Sequence, residues 1–182
     1  MLKRILIVVA LSGLASACDN TASRLDAEAR ICERALEIGA LELAEEHCQL
    51  ALGDADDDVL APQVSSERLY RLASIKRQLA KYAEGAELLS QSLVLEQTLS
   101  GSDSPQVASR RLEMSLILAG QEKWQDGAQL LEQTVPAAPL LNEKERASLV
   151  NILQRYATQL QKSQHTEQAS RLQAAAASLE KK

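Results

Sequence analysis

Aromatic residues are nearly absent from this 182-residue sequence, which contains no phenylalanine, one tryptophan and three tyrosines. Glycine (7) and proline (4) are also scarce, which argues against a turn-rich β-sandwich or barrel and against collagen-like or low-complexity chains. Hydrophobic residues still make up 46% of the chain and charged residues 25%, so the chain is not disordered throughout. Its core must be built from Leu, Ala, Ile and Val, a composition typical of packed helices.

Basic residues are outnumbered, with 20 Lys and Arg against 25 Asp and Glu and a formal net charge of −5. A nucleic-acid partner is not expected, because phosphate neutralisation needs a basic surface and base stacking needs aromatic side chains. The sequence also lacks a glycine-rich phosphate loop, a His-Glu-x-x-His motif, a Gly-x-Ser-x-Gly motif and a Cys-x-x-Cys motif. We therefore predict that the protein is not an enzyme and holds no cofactor or metal.

The first 18 residues have the layout of an export signal. A short basic segment (residues 1–4) precedes an apolar run (residues 5–14), and three small residues (15–17) lead to Cys18. An apolar run of about ten residues is too short to span a bilayer, which takes about 20, and this layout is typical of a cleavable signal. The segment resembles bacterial lipoprotein signal peptides, whose lipobox ends in the lipidated cysteine, although Ala15 replaces the usual leucine of that motif.

The resemblance implies a membrane-anchored lipoprotein. Residues 1–17 would be the signal peptide, Cys18 would carry fatty acyl chains such as palmitate, residues 18–24 would form a tether and residues 25–182 the folded domain. Two or three acyl chains anchor a protein stably, and the mature chain, with 18 basic and 25 acidic residues, has a formal net charge of −7. The alternative is an ordinary secretory signal cut after Ala17, which leaves Cys18 as a free thiol.

The implied location is the bacterial cell envelope, with the folded domain facing the periplasm. Asp19 follows the lipidated cysteine, and in enteric bacteria aspartate at this position keeps lipoproteins in the inner membrane. Other lineages follow different rules, so the inner and outer membranes both stay open.

Beyond residue 22 the sequence predicts helices almost throughout. Apolar residues recur three and four positions apart, and no long segment alternates with period two. Ser104 before Pro105 has the pattern of an N-cap followed by a first-turn proline, and Asn142 with Glu145 has the spacing of a capping box. We predict about eight helices arranged in pairs.

An internal repeat determines the predicted architecture. Residues 81–93 (KYAEGAELLSQSL) align without a gap with residues 123–135 (KWQDGAQLLEQTV), at an offset of 42. The extended alignment places small residues at three matched points of each helix hairpin, where they allow two helices to approach closely. These residues are Cys32, Ala73, Ser115 and Ala157, then Ala44, Gly85, Gly127 and Ala169, then Ala51, Ser92, Thr134 and Ala176.

This spacing resembles the tetratricopeptide repeat (TPR). The aromatic position of the TPR pattern is occupied by Tyr82 and Trp124 in the two central repeats, but by Leu41 and Thr166 in the outer ones. The period of 41 to 42 exceeds the usual 34, and residues 99–108 are similar to the linker of the longer repeats in kinesin light chains. The resemblance implies an all-α, helix-turn-helix repeat solenoid of about four helix pairs.

The TPR resemblance also implies a binding groove lined by the first helix of each repeat. Tyr70 would be a large anchor, and arginine side chains there would bind carboxylate or backbone oxygens. The alternative is that Leu112 and Leu116 belong to the core and that Arg71 or Arg155 only face solvent. The groove positions correspond to Glu67, Tyr70, Arg71, Ser74 and Arg77 in the second repeat, Leu112, Glu113 and Leu116 in the third, and Asn151, Gln154 and Arg155 in the fourth.

These resemblances point to a lipid-anchored adaptor or assembly factor that binds a protein or peptide of the envelope. A second interpretation is a structural or capping subunit of a larger envelope complex, which would use the convex face or the ends of the solenoid and have no peptide groove.

Two cysteines remain once Cys18 is assigned to lipid, an even number in an oxidising compartment. Cys32 and Cys48 lie at equal distances from position 40, at the turn of the first hairpin, so they should face each other at one height on antiparallel helices. A disulfide needs Cα atoms within about 7 Å, which small facing residues permit. We predict a Cys32–Cys48 disulfide; the alternative is that both are reduced and act as small core residues.

Overall fold

The computed structural model describes residues 8–53 and 59–180, with side chains from residue 20 onward, and its elements are all helices. The α-helices are α1 (Val8–Glu37), α2 (Leu41–Leu52), α3 (Pro62–Gln78), α4 (Tyr82–Ser100), α5 (Pro105–Gly120), α6 (Trp124–Thr134), α7 (Glu143–Lys162) and α8 (Thr166–Glu180). A 3₁₀ helix (Val135–Leu140) connects α6 to α7. The predicted all-α repeat fold with four helix pairs is confirmed.

Consecutive helices pack in pairs, which we number hairpin 1 (α1–α2) to hairpin 4 (α7–α8). The second helix of each hairpin also packs against the first helix of the next, and α5 contacts both α3 and α7. The first helices therefore lie side by side. We call the surface formed by α1, α3, α5 and α7 the first-helix face.

The helix starts that the sequence predicts are present. The Ser104 hydroxyl accepts a hydrogen bond from the Val107 backbone N–H at 3.2 Å, directly before Pro105. Asn142 and Glu145 form a reciprocal capping box, with the Asn142 side chain accepting from the Glu145 N–H at 2.9 Å. Both caps satisfy backbone donors that a helix start leaves unpaired.

Small residues bring the helices close, as the repeat register predicts. Ala73 and Ala157 are completely buried. A Cβ atom at Gly127 would lie 2.0 Å from the Tyr156 Oη atom, and that hydroxyl donates a hydrogen bond to the carbonyl of Ser115. Glycine is required at this point because the ring of hairpin 4 occupies the space that any side chain would need.

The first helix starts before the predicted domain. α1 includes residues 18–24, for which the sequence predicts a flexible tether, and these residues contain no glycine or proline that would end a helix. Leu25 is the first buried residue among the described side chains, and the domain boundary at residue 25 stays a prediction. The signal peptide and the tether stay predictions.

Within the described ranges, no helix combines the length and the apolar character needed to cross a membrane.

Candidate functional site

A cleft opens between α1 and α3 on the first-helix face. Its larger part, a cavity of about 420 Å³, is lined by residues of α1 and α3 that include Arg30 and Val64. A smaller part of about 130 Å³ is lined by Leu36, Glu67, Tyr70, Arg71, Ser74, Ile75 and Gln78. Glu67 and Arg71 line both parts, so we treat the two as one feature, the α1–α3 cleft. Four predicted groove residues meet here: Glu67, Tyr70, Arg71 and Ser74.

The two predicted groove arginines of α3 already have carboxylate partners. Arg71 Nη1 contacts Glu33 Oε1 of α1 at 2.5 Å, and Arg77 Nε contacts Glu113 Oε1 of α5 at 2.6 Å. Glu67 in turn accepts from Arg110 Nη2 at 3.1 Å. These groups hold neighbouring hairpins together, and a ligand carboxylate would have to compete with Glu33 and Glu113 for the arginines.

Tyr70 lies half-buried at the floor of the cleft. The guanidinium carbon of Arg110 lies 4.8 Å from the centre of its ring, a cation–π contact. Burial raises the pKa of Tyr70 to about 12, and the nearby Glu113 carboxylate adds to the increase. The phenol is therefore neutral at physiological pH, and its ring offers an apolar surface to a bound side chain.

In the third repeat, the structure places the predicted groove residues in or against the core, the alternative that the sequence leaves open for Leu112 and Leu116. Leu112 is 7% exposed and belongs to the core cluster that α5 shares with hairpin 4, and Leu116 packs against the same cluster. Glu113 is also buried, with its carboxylate turned to Arg77. The leucines are core residues because this side of α5 is covered by α7.

The predicted fourth-repeat residues are exposed but lie apart from the α1–α3 cleft. Gln154 donates to Glu180 of α8 at 2.7 Å. The Arg155 guanidinium carbon lies 5.7 Å from the centre of the Trp124 ring. Asn151 is exposed on α7. The predicted groove is thus not one continuous site: its compact part is the α1–α3 cleft.

A repeated arginine was missed in the sequence. Arg68 binds Asp26 of hairpin 1 and donates to the Ala51 carbonyl at 2.6 Å. Arg110, 42 residues further on, makes the same kind of contact with Glu67, which follows Asp26 by 41 residues. The sequence contains this pattern. An acidic residue recurs at one repeat position (Asp26 and Glu67), and an arginine recurs at the position directly after it (Arg68 and Arg110).

A buried lysine joins hairpins 1 and 2 on the other side of α3. Lys76 Nζ contacts Glu45 Oε1 at 2.6 Å and Glu84 Oε2 at 2.5 Å, and Lys81 Nζ contacts the same Glu45 oxygen at 2.7 Å. Hydrogen bonds from Lys76 and then Lys81 lower the pKa of Glu45. Burial alone would lower the pKa of Lys76, but the two carboxylates outweigh it and raise the pKa.

The cysteines of hairpin 1 face each other across the two helices. The structure records a disulfide between Cys32 and Cys48, with a Cα–Cα distance of 5.2 Å, and both residues are buried. The side chain of Cys18, the predicted lipidation site, lies outside the described side chains.

The α1–α3 cleft offers surfaces for non-covalent contacts. In the part of the chain that the structure covers, no group of three or more His, Cys, Asp or Glu side chains is placed to hold a metal ion. The α1–α3 cleft combines an apolar floor, from Tyr70 and Ile75, with charged walls in which Glu67, Arg68 and Arg71 are paired, whereas Arg30 forms no ion pair among the described side chains.

Comparison with protein-family models and with curated proteins finds no match. Solved structures do match. BtubC (BKLC) from P. vanneervenii superposes with a TM-score of 0.70 at 17% identity, over 86% of this chain and 63% of BtubC. A putative kinesin light chain from Podosopora anserina with nearly identical TPR-like repeats superposes with a TM-score of 0.65 at 18% identity, over 87% of this chain and 75% of that one.

This chain has a TPR-like fold of the kinesin-light-chain type. The identities are low, so the likeness establishes the fold alone, and the chain spans less than two thirds of BtubC. A TPR-like fold is a repeat scaffold whose stacked helices present an extended surface to other proteins. The likeness says nothing of this chain's partner.

Proposed function

We propose that this protein is a lipid-anchored adaptor or assembly factor of the bacterial envelope, which binds a protein or peptide in the α1–α3 cleft. The observation that carries the binding site is the convergence of Tyr70, Ser74, Leu36 and Ile75 on one open cleft in a TPR-like fold. Because Glu67 and Arg71, the charged residues beside Tyr70, are already paired, we expect the ligand to be held at this point by an apolar side chain on Tyr70 and by hydrogen bonds, rather than by one strong ion pair.

The binding test fills the cleft without breaking an ion pair. Ser74→Trp places a large ring among the lining residues, and Ser90→Trp places the same ring on the exposed side of α4 as a control. The proteins would be produced in the native bacterium, crosslinked and purified from membranes. We expect one partner with the wild type and with Ser90→Trp, and its loss with Ser74→Trp. Retention of the partner by Ser74→Trp would contradict binding in the cleft.

Anchoring is supported by the basic, apolar and small-residue segments that precede Cys18. Mass spectrometry of the mature N-terminal peptide should find acyl chains on Cys18, and Cys18→Ser should leave the membrane fraction. A free Cys18 thiol would show that the signal is an ordinary secretory one. Fractionation of the two membranes, with Asp19→Ser as the variant, then tests whether Asp19 determines the membrane.

The second candidate, a structural or capping subunit, has one observation in its favour. The outer side of hairpin 1 exposes apolar side chains, including Ile38 at 78%, at the end of the repeat stack rather than in the cleft.

A further inference from the structure

In hairpins 2 and 3, one side of the first helix is covered by the preceding hairpin. Leu72 and Ile75 of α3, and Leu79 directly after it, pack against the core of hairpin 1. Met114 and Ile117 of α5 pack in the same way against hairpin 2. This side of a first helix is therefore an apolar interface between repeats, and the helices of the preceding repeat cover it.

The equivalent side of α1 is uncovered in the described structure. Ala27, Ile31 and Arg34 follow one another at spacings of four and three, so they lie along one side of α1, and Ile38 follows directly after the last residue of that helix. Ile31 is only half-buried, Arg34 is exposed and Ile38 is 78% exposed. We call these four residues the outer face of hairpin 1; the last three occupy the repeat positions of Leu72, Ile75 and Leu79.

Charge distinguishes this face from the covered ones. Arg34 stands where hairpins 2 and 3 have Ile75 and Ile117 and hairpin 4 has the uncharged Gln159, and among the described side chains it forms no ion pair. An arginine inside an apolar interface is costly to bury unless a carboxylate meets it. Whatever covers Ile31 and Ile38 must therefore also bring a carboxylate to Arg34.

The other end of a second copy does not supply such a cover. At the two repeat positions where hairpin 1 offers Asp26 and Glu33 to hairpin 2, hairpin 4 has Asn151 and Thr158. The exposed residues of α8 are polar or small, among them Gln173, Ala174 and Ala177. Head-to-tail stacking of this chain would repeat neither of these ion pairs and would bury little apolar area.

We propose that the outer face of hairpin 1 is a second docking surface, and that its occupant is an amphipathic helix of another protein. The apolar side of that helix covers Ile31 and Ile38, and a glutamate or aspartate on it pairs with Arg34. The occupant is helical because helices cover the equivalent faces of the following repeats. The proposal does not depend on the α1–α3 cleft, since none of the three residues lines it.

The chain itself provides a probe. Hairpin 1 is the cover of Leu72 and Ile75 in the structure, so the disulfide-closed peptide of residues 24–53 should also fit the outer face. Leu36, which lines a cavity together with Ile75, is the residue that would meet Arg34. Two peptides, with Leu36→Glu and with Leu36→Lys, would be titrated by calorimetry against the mature chain.

We expect the glutamate peptide to bind at least ten times more tightly than the lysine peptide. Arg34→Glu in the mature chain should reverse this preference, and Ile38→Lys should abolish the binding of both peptides. Val94→Lys, at a residue 63% exposed on α4, is the control and should change nothing. Binding that ignores Ile38→Lys, or a preference unchanged by Arg34→Glu, would overturn the proposal.

Two further measurements are needed, one in case the peptide is unfolded and one to test self-association of the chain. If circular dichroism shows that the peptides are unfolded, a chain with residues 24–65 duplicated in tandem replaces them. The added hairpin should raise the melting temperature, and Ile38→Lys in the inner copy should remove the gain; no gain would overturn the proposal.

Sedimentation of the mature chain tests a second copy as occupant: a dimer that Ile38→Lys dissociates would also overturn it. Ser74→Trp should leave all these results unchanged, which separates this surface from the cleft.

Discussion

Single charged residues hold neighbouring hairpins together in this protein. Lys76 is only 8% exposed and reaches carboxylates on α2 and α4, so one side chain connects three helices. Arg110 is 4% exposed and lies between Tyr70 and Glu67. Buried charges of this kind are tolerated because every one has a partner. Removing a single partner should therefore cost far more than removing a surface charge.

Glu45 offers the clearest test of that expectation. Its pKa is lowered from the ordinary value of 4.5 by Lys76 and Lys81, so the folded state favours the ionised carboxylate. The stabilisation is present above pH 4.5 and is lost as the pH falls through the lowered folded-state value. At pH 7, Glu45→Gln should lower the free energy of unfolding by about 1 to 3 kcal/mol. The difference from the wild type should shrink toward pH 3.

Urea unfolding at several pH values measures this effect. Glu46→Gln, at the exposed neighbouring residue, is the matched control and should change stability by less than about 0.5 kcal/mol. A loss in Glu45→Gln that stays constant from pH 7 to pH 3 would show that packing, not charge, is responsible.

For the groove residues, the sequence predicts the position of each side chain on its helix but not the residue with which it pairs. The repeat register correctly placed Tyr70, Arg71 and Ser74 on one cleft. It could not show that Arg71 and Arg77 are paired, because their partners, Glu33 and Glu113, lie 38 and 36 residues away on other helices. The position of a side chain on its own helix follows from the sequence, whereas its partner depends on how the hairpins stack.

The turn within each hairpin repeats one backbone conformation. Gly39, Ala80, Glu122 and Gln164 all have a positive φ, between 59° and 74°, and they stand at equivalent positions of the four repeats. Only glycine adopts this conformation without a penalty, which for other residues is about 1 kcal/mol. Three of the four turns therefore carry a residue that the conformation disfavours.

We predict that Ala80→Gly stabilises the protein by about 0.5 to 1 kcal/mol, because relief of the positive φ outweighs the larger entropy of glycine in the unfolded chain. Gly39→Ala should do the opposite, although no atom lies within 4 Å of its added Cβ. Ala147→Gly, at an exposed position inside α7, is the control and should destabilise by about 1 kcal/mol. If thermal unfolding gives both alanine-to-glycine changes the same sign, the turn conformation is not the cause.

The first hairpin carries a disulfide in place of aromatic packing. Cys32 and Cys48 are 16 residues apart, and their Cα atoms lie 5.2 Å from each other. A loop of this size stabilises by about 3 kcal/mol in the chain-entropy model. We predict that reduction lowers the midpoint of urea unfolding, and that Cys32→Ala with Cys48→Ala does the same in non-reducing buffer. Intact-mass analysis of the exported protein with and without reductant checks the bridge, and labelling of both thiols before reduction would exclude it.

The elements themselves were largely predictable because their signals are local. The caps at Ser104 and Asn142 involve residues three positions apart. The small residues mark close helix contacts, as Gly127 shows against Tyr156. The sequence analysis expected a tether at residues 18–24, whereas the structure has them in α1. These residues contain no glycine or proline that would end a helix.

At the scale of the whole molecule, the two ends of the repeat stack differ. The outer side of hairpin 1 exposes Ile38 and Leu43, whereas the exposed side of α8 is mainly polar residues and alanine. The largest core cluster contains residues of hairpins 3 and 4, and a separate cluster contains residues of hairpins 1 and 2. Because the main contacts between the described helices run within a hairpin or between neighbouring hairpins, local stability should follow how much each helix buries.

This dependence predicts that α8 opens before the rest of the stack. Among its large side chains only Leu172 is fully buried, with Ala169 and Ala176 beside it, whereas α3 buries Leu69, Leu72 and Ile75. Two more buried aliphatic side chains are worth about 3 kcal/mol or more, which corresponds to at least about a hundredfold in amide protection.

Hydrogen exchange followed by mass spectrometry should therefore find peptides from residues 170–180 exchanging at least about a hundredfold faster than those from residues 69–79. Ala174→Leu, at an exposed position, should leave this ratio unchanged, because the added side chain has no neighbour to pack against. Equal protection in the two segments would mean that α8 is covered in solution by something that the chain alone does not provide.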